Sequence, residues 1–213
     1  MPNIAQQERT ALAQTFIEVG PDAPTLCGDW TTRDLAAHLV LRERRPDAAL
    51  GAVLPALASH TEKVQNGIAA GDWPGLVEKV LDGPPRWNPA AIGKIDVAIN
   101  TAEFFVHHED VLRGGEGWDR RELTSQLTNG IWSALPQIGR LALRQVPVGV
   151  VANSPGVGRR SIKKPKSGHG SVVISGPPGE ILLSIFGRDA VAQVTLDGSD
   201  VEVDGYQSAP RGV

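Results

Sequence analysis

The chain lacks several features that identify common protein classes. Its 213 residues include a single cysteine, Cys27, which excludes an internal disulfide framework and a cysteine-rich zinc site within one chain. The formal net charge of −3 argues against binding nucleic acid or an anionic membrane through bulk charge. No apolar run approaches the roughly 20 residues of a membrane span. The first residues show no basic and apolar signal pattern, so we expect a cytoplasmic protein.

What remains is an ordinary globular composition, with 41% hydrophobic and 21% charged residues. Apolar positions at helical spacing dominate the first 145 residues, between joints rich in proline and glycine. The pattern predicts helices over residues 8–19, 31–45, most of 47–70, 76–81, 92–112 and 120–144. A rigid loop is expected over residues 82–89. Residues 1–145 are therefore predicted to form a helix bundle.

After residue 145 the pattern changes to short β-branched segments. Residues 146–151 are one such segment, residues 171–175 predict a strand, and residues 180–186 predict a short helix rather than a strand because a glutamate leads them. Residues 191–203 predict a β-hairpin around the Asp197-Gly198 turn. Residues 146–213 thus predict a small α+β domain, which is short for an independent unit and is expected to pack against the bundle.

The most informative stretch lies inside the helix predicted over residues 92–112. Glu103 and His107 are four residues apart, so they share one helix face, one turn apart. A carboxylate and an imidazole in this arrangement can bind one metal ion from a single rigid element, but a third protein ligand is needed. His38, beside the apolar stripe of an earlier helix, is the best candidate for that ligand.

Simpler interpretations of these residues stay open. Glu103 and His107 could form a solvated contact between neighbouring helical turns. However, Phe104, Phe105 and Val106 make this helix strongly apolar, and an unpaired charge there would be costly. His38 could be a core histidine bonded to a backbone carbonyl.

The acidic and histidine neighbours of these residues have alternatives of their own. Asp34 could orient the His38 ring or simply cap its helix. His108 points about 100° away from His107 around the helix, so only one of the two can face Glu103. Glu109 and Asp110 are expected to support a ligand or to face solvent, and surface positions are expected for two histidines, His60 and His169.

Three segments together resemble one protein family. The sequence GDWTTRDLAAHL at residues 28–39 resembles the second-helix signature of the DinB-like proteins, in the branch of the mycothiol-dependent maleylpyruvate isomerases. The sequence EFFVH at residues 103–107 is similar to the second ligand motif of that family, and GEILLSIFGR at residues 179–188 is similar to the small C-terminal domain of the isomerases. Uncharacterised actinobacterial metal-binding proteins form another branch that the chain resembles.

The resemblance implies a mainly α fold, with a DinB-type four-helix bundle followed by a small α+β domain. It implies a divalent metal, commonly zinc, on His38, Glu103 and His107, with a fourth position for water or a thiolate. These donors also suit nickel, iron and manganese. The implied activity is that of a transferase or isomerase that joins a low-molecular-weight thiol, such as mycothiol, to a small electrophile. DinB-like bundles are often dimeric, so a homodimer is an expectation by analogy.

Three other features, Arg188, Cys27 and the basic segment 159–166, have candidate roles. The isomerases use an arginine of their C-terminal domain, for which Arg188 is the candidate; the alternative is an ordinary surface arginine. Cys27 could instead be the nucleophile, but a packing role is favoured, and we expect its replacement by alanine to leave activity intact. Glycine and proline flank the basic segment 159–166, which predicts a loop or a hairpin, and its basic residues favour a solvated loop over a nucleic-acid site.

Two functions from other classes also stay open. One is a metal-containing binding or stress-response module without turnover. The other is a purely structural bundle.

Overall fold

The computed structural model describes residues 3–49, 54–85 and 94–212. The chain divides into two compact units, Met1–Arg120 and Arg121–Val213. Over the described residues it is mainly helical, with a small four-stranded sheet in the second unit. This confirms the coarse prediction of a helical chain with a mixed C-terminal part. None of the described helices has the combination of length and apolar character needed to cross a membrane.

The described part of the first unit is built from helices. They are α1 (Ile4–Val19), α2 (Thr32–Arg44), α3 (Pro46–Ala49), a 3-10 turn (Pro55–Leu57), α4 (Ala58–Ala69), α5 (Trp73–Asp82) and α6 (Lys94–Leu112). Helix α1 packs against α5 and α6, and α2 packs against α4 and α5. The predicted start of α6 at residue 92, part of the 82–89 loop and part of the 47–70 segment lie outside the described residues.

Local capping explains where the first two helices begin. Helix α1 starts before the predicted residue 8 because Asn3 and Gln6 form a capping box. Helix α2 starts after Thr31, as predicted. The backbone N–H and the hydroxyl of Thr31 donate to Oδ2 of Asp34 over 2.9 and 2.8 Å. Of its two suggested roles, Asp34 therefore fills that of the capping acid.

An apolar core holds α1, α2, α5 and α6 together. Its fully buried members include Leu12, Phe16, Leu35, Leu39 and Phe104. Burying one such side chain contributes about 1.5–3 kcal/mol to folding. The core therefore fixes the two helices, α2 and α6, that carry the candidate metal ligands.

The second unit combines helix α7 (Ser125–Ala142) with a sheet and two short helices. Its strands are β1 (Gly149–Ser154), β2 (Gly158–Lys163), β3 (Ser171–Ser175) and β4 (Thr195–Asp197), and its other helices are α8 (Pro178–Ile185) and α9 (Asp200–Gln207). The strand order is β2-β1-β3-β4; β1 and β3 are parallel, and the other pairs are antiparallel. Helix α7 packs on β2 and α8, so the division falls after Arg120 rather than after residue 145.

The hairpin prediction for residues 191–203 is wrong in its second half. Strand β4 pairs with β3, and Val201 and Val203 lie in helix α9. The side chain of Ser199 caps this helix by accepting a hydrogen bond from the backbone N–H of Glu202, and acidic residues occupy its first turn. The helix predicted over residues 180–186 is confirmed as α8.

The basic segment 159–166 lies mostly in β2, which pairs with β1 in an antiparallel hairpin, so the loop prediction is wrong for residues 159–163. Arg160 donates to the backbone oxygen of Trp132 over 2.8 Å and stacks on the Trp132 ring. Lys163 donates to the backbone oxygens of Val148 and Lys164. Both charges are thus used within the unit, which supports a structural role for these two residues.

Candidate metal centre

Two helices bring the three predicted ligands together. His38 lies on α2, while Glu103 and His107 lie one turn apart on α6. Oε1 of Glu103 is 3.3 Å from Nε2 of His107 and 3.8 Å from Nε2 of His38. One donor atom from each residue lies within 4.8 Å of the other two. The structure therefore places the three sequence-predicted ligands in one cluster.

The spacing of these donors fits a metal ion. Ligands bound to a tetrahedral zinc at about 2.1 Å are separated from each other by about 3.4 Å. The separations from Glu103 to the two histidines, 3.3 and 3.8 Å, lie close to that value. The His38 side chain is 27% exposed, against 12% for His107. The cluster is thus open to solvent on the His38 side.

A buried carboxylate orients the His107 ring. Nδ1 of His107 lies 3.0 Å from Oδ2 of Asp110, whose side chain is fully buried. Donation from Nδ1–H to this carboxylate leaves the lone pair of Nε2 for a metal, which is the usual support for a histidine ligand. The Cys27 thiol donates to the same Oδ2 over 3.1 Å. Asp110 therefore contacts a candidate ligand and is not exposed to solvent, which fits the first of the two roles predicted for it.

Arg42 places a positive charge beside the carboxylate. It lies one helical turn after His38 on α2, and its Nε is 3.6 Å from Oε1 of Glu103. Its Nη2 donates to Oδ1 of Asn100 over 2.7 Å, which fixes the guanidinium next to the cluster. Any ligand that enters the centre from the α2 side meets this charge.

The surroundings keep Glu103 ionised. Burial raises the pKa of its carboxyl, but the charge of Arg42 and hydrogen bonds to His107 and His38 outweigh burial and hold the pKa well below its ordinary value. An ionised carboxylate is the form that binds a metal.

The surroundings also favour a proton on His107 before a metal binds. Burial lowers its pKa, but hydrogen bonds with Asp110, Cys27 and Glu103 outweigh burial and raise the pKa well above its ordinary value. A metal must therefore displace a strongly held proton from this ring.

This competition predicts a pH dependence of metal binding. Below the raised pKa of His107 each bound ion releases one proton, so the apparent zinc affinity should fall by about tenfold per pH unit as the pH drops. The fall should begin above the ordinary imidazole value of about 6.5. Competition against a chromophoric chelator across the pH range measures it. A zinc affinity that stays constant down to the ordinary imidazole range would contradict the proposed role of His107.

The neighbouring residues of α6 serve the helix packing instead. Nδ1 and Nε2 of His108 are each 2.9 Å from a partner on α1, Oε1 of Glu8 and Oγ1 of Thr15. This confirms that His108 faces away from the ligand pair. Glu109 is buried and paired with Arg113 at 2.6 Å, so the predicted alternative of solvent exposure is wrong for it.

The remaining predicted residues lie elsewhere. His60 and His169 are exposed, as predicted. Arg188 belongs to the second unit, where it is half-buried and its Nη1 donates to the backbone oxygen of Phe186 over 2.8 Å. Its catalytic role stays a prediction.

Two contributors to the cluster were not predicted. Arg42 follows His38 at the same four-residue spacing that links Glu103 and His107, so helix periodicity carries a signal for it. Cys27 comes from the loop before α2, and no spacing rule connects it with α6. Its position follows from the fold alone.

No family model, curated protein or solved structure matches the chain.

Proposed function

We propose that this chain is a divalent-metal-binding protein of the DinB-like type, with a four-helix bundle, that acts on a low-molecular-weight thiol such as mycothiol. The observation that carries the proposal is the convergence of His38, Glu103 and His107 from two helices. The proposal also takes up the resemblance of residues 28–39 and 103–107 to the family's ligand motifs. The reaction class is S-transfer or isomerisation of a small electrophile.

The donor set favours catalysis over a structural role. Structural zinc sites are usually closed by four protein ligands, whereas catalytic sites have three and an open position. The exposed side of His38 provides that opening. When bound, a divalent ion in such a site holds an external thiol as its thiolate. Zinc is the first choice; nickel, iron and manganese also suit these ligands.

The charges of the chain's own residues favour an anionic sulfur. Glu103 neutralises only one of the two charges of a divalent ion, and Arg42 adds a further positive charge 3.6 Å from the carboxylate. A thiolate is therefore favoured over a neutral thiol at the open position. Asp110 meanwhile holds His107 in the orientation that metal binding requires.

A metal-containing module without turnover is the second candidate function. The contact between Arg42 and Glu103 and the contact between His107 and Asp110 satisfy the main charges of the cluster from within the protein. Such a site could hold an ion for binding or stress response without a bound thiol.

Thiol consumption with and without a chelator separates the two functions. We expect the purified protein to consume mycothiol or a similar thiol with a panel of activated alkenes and epoxides, to lose this activity with chelator, and to regain it with zinc. Glu103→Gln should lose the activity because it removes a charged ligand. Glu62→Gln, the same change at an exposed position on α4, should retain it. Stoichiometric zinc without thiol consumption across the panel would contradict the catalytic proposal and favour the second candidate.

A further inference from the structure

The other nitrogen of His107 lies in a second group of potential metal donors. Oδ2 of Asp110 is 3.0 Å from Nδ1 of His107 and 3.1 Å from Sγ of Cys27. One donor atom from each of these three residues lies within 4.8 Å of the other two. A thiolate, an imidazole and a carboxylate at this spacing suit a thiophilic divalent ion such as cadmium.

The backbone holds this second group in place. The N–H of Leu26 donates to the backbone oxygen of Asp110 over 3.0 Å, which ties the loop before α2 to the end of α6. The N–H of Cys27 donates to the hydroxyl of Thr25 over 3.1 Å. Because Asp110 is fully buried while Cys27 is half-buried, an ion would approach the group from the thiol side.

We propose that Cys27, His107 and Asp110 form a second metal position, which takes a thiophilic divalent ion in competition with the first centre. Binding releases to solvent the thiol proton of Cys27 and the second proton of the His107 ring, which leaves the ring neutral with its Nδ1 lone pair on the ion. The resulting thiolate and the carboxylate of Asp110 together balance the two charges of the ion, which suits a more buried position.

The competition rests on the proposed function, because both positions use the His107 ring. With an ion on Nε2, the proton of the neutral ring is on Nδ1 and faces Asp110. With an ion on Nδ1, the proton is on Nε2 and faces Glu103, 3.3 Å away. The choice of metal therefore selects between an open, nitrogen- and oxygen-donor centre and a more buried, thiolate-containing one.

Cadmium titration of the full chain tests the proposal through the ultraviolet sulfur-to-cadmium charge-transfer absorption. Cys27 is the only cysteine, so in a thiol-free reductant this band reports Cys27 alone. We expect the band in the wild type, its loss in Cys27→Ser, and at least about tenfold weaker binding in His107→Gln. His38→Ala should retain the band and reach it at a lower cadmium concentration, because the first centre no longer competes.

Three results would overturn the second position. The first is cadmium that binds without producing the band. The second is a band that saturates at one cadmium ion per two chains, which would mean that the cysteines of two molecules share the ion. The third is a band that His107→Gln leaves unchanged. Failure of the first centre is distinguishable, because zinc affinity and cadmium response would then both be unaffected by His38→Ala. That outcome contradicts the proposed function and the proposed competition between the two metal positions. The Cys27→Ser and His107→Gln variants then still test whether the second position exists.

Discussion

Replacement of His107 by glutamine is expected to abolish stoichiometric zinc binding. Loss of a residue that only supports a ligand typically weakens metal affinity by 10–100-fold, so loss of a direct donor should cost more than about 100-fold. His107 is the residue to choose because both metal positions use its ring. Isothermal titration calorimetry with zinc gives the affinity, and elemental analysis of the purified variant gives the stoichiometry.

The matched control is His60→Gln. His60 is an exposed histidine that belongs to neither group of candidate donors. Its Nε2 lies 3.3 Å from Oδ2 of Asp47. The same change there should leave zinc affinity and stoichiometry at the wild-type values. Equal zinc uptake by the His107 and His60 variants would contradict the assignment of His107 as a ligand.

Arg9→Met is expected to lower the free energy of unfolding by about 3–5 kcal/mol, because it leaves the buried carboxylate of Glu43 without its charged partner. Nη1 of Arg9 donates to Oε2 of Glu43 over 2.7 Å and to the backbone oxygen of Val80 over 2.8 Å. The guanidinium also lies 4.2 Å from the ring centre of Phe104. The pair thus joins α1, α2 and α5 beside the helix that carries two of the ligands.

Arg45→Met removes an arginine from an exposed ion pair and serves as the control. Arg45 contacts Asp47 at 2.7 Å, but both side chains are about half exposed, at 44% and 52%. Exposed pairs of this kind contribute little, so we expect no measurable change in stability. Urea unfolding of both variants at one pH compares them. A similar loss in both, or none in Arg9→Met, would contradict the structural role of the buried pair.

The three candidate ligands could be proposed from the sequence because helical spacing is a local property. Glu103 and His107 needed only the four-residue period, and the apolar residues between them indicated a buried environment in which the charges need partners. His38 lay on a helix whose capping residues, Thr31 and Asp34, are legible in the sequence. Sequence spacing thus pointed to the side chains that form the cluster, while the distances between them required the fold.

The contacts that surround the candidate ligands could be predicted only in part. Asp110 follows His107 by three residues, which makes it a neighbour on the helix, but its contact with Cys27 depends on the path of a loop. The backbone hydrogen bond from Leu26 to Asp110 fixes the path of this loop. Because the two residues are far apart in the chain, their contact produces no periodic pattern in the sequence.

The second unit shows two other limits of local reasoning. Val201 and Val203 alternate with acidic residues as in a strand, yet the cap by Ser199 starts a helix there. Helix α7 is amphipathic, as α5 of the first unit is, but it packs on β2 and α8. A helical pattern predicts a buried face without naming the element that covers it.

A crystal structure of the zinc-loaded protein, with anomalous scattering recorded at the zinc edge, tests the metal centre most directly. We predict one anomalous peak at about 2.0–2.2 Å from Nε2 of His38, Nε2 of His107 and a carboxylate oxygen of Glu103. Zinc bound with no peak among these three side chains, or with His38 turned away from it, would contradict the account.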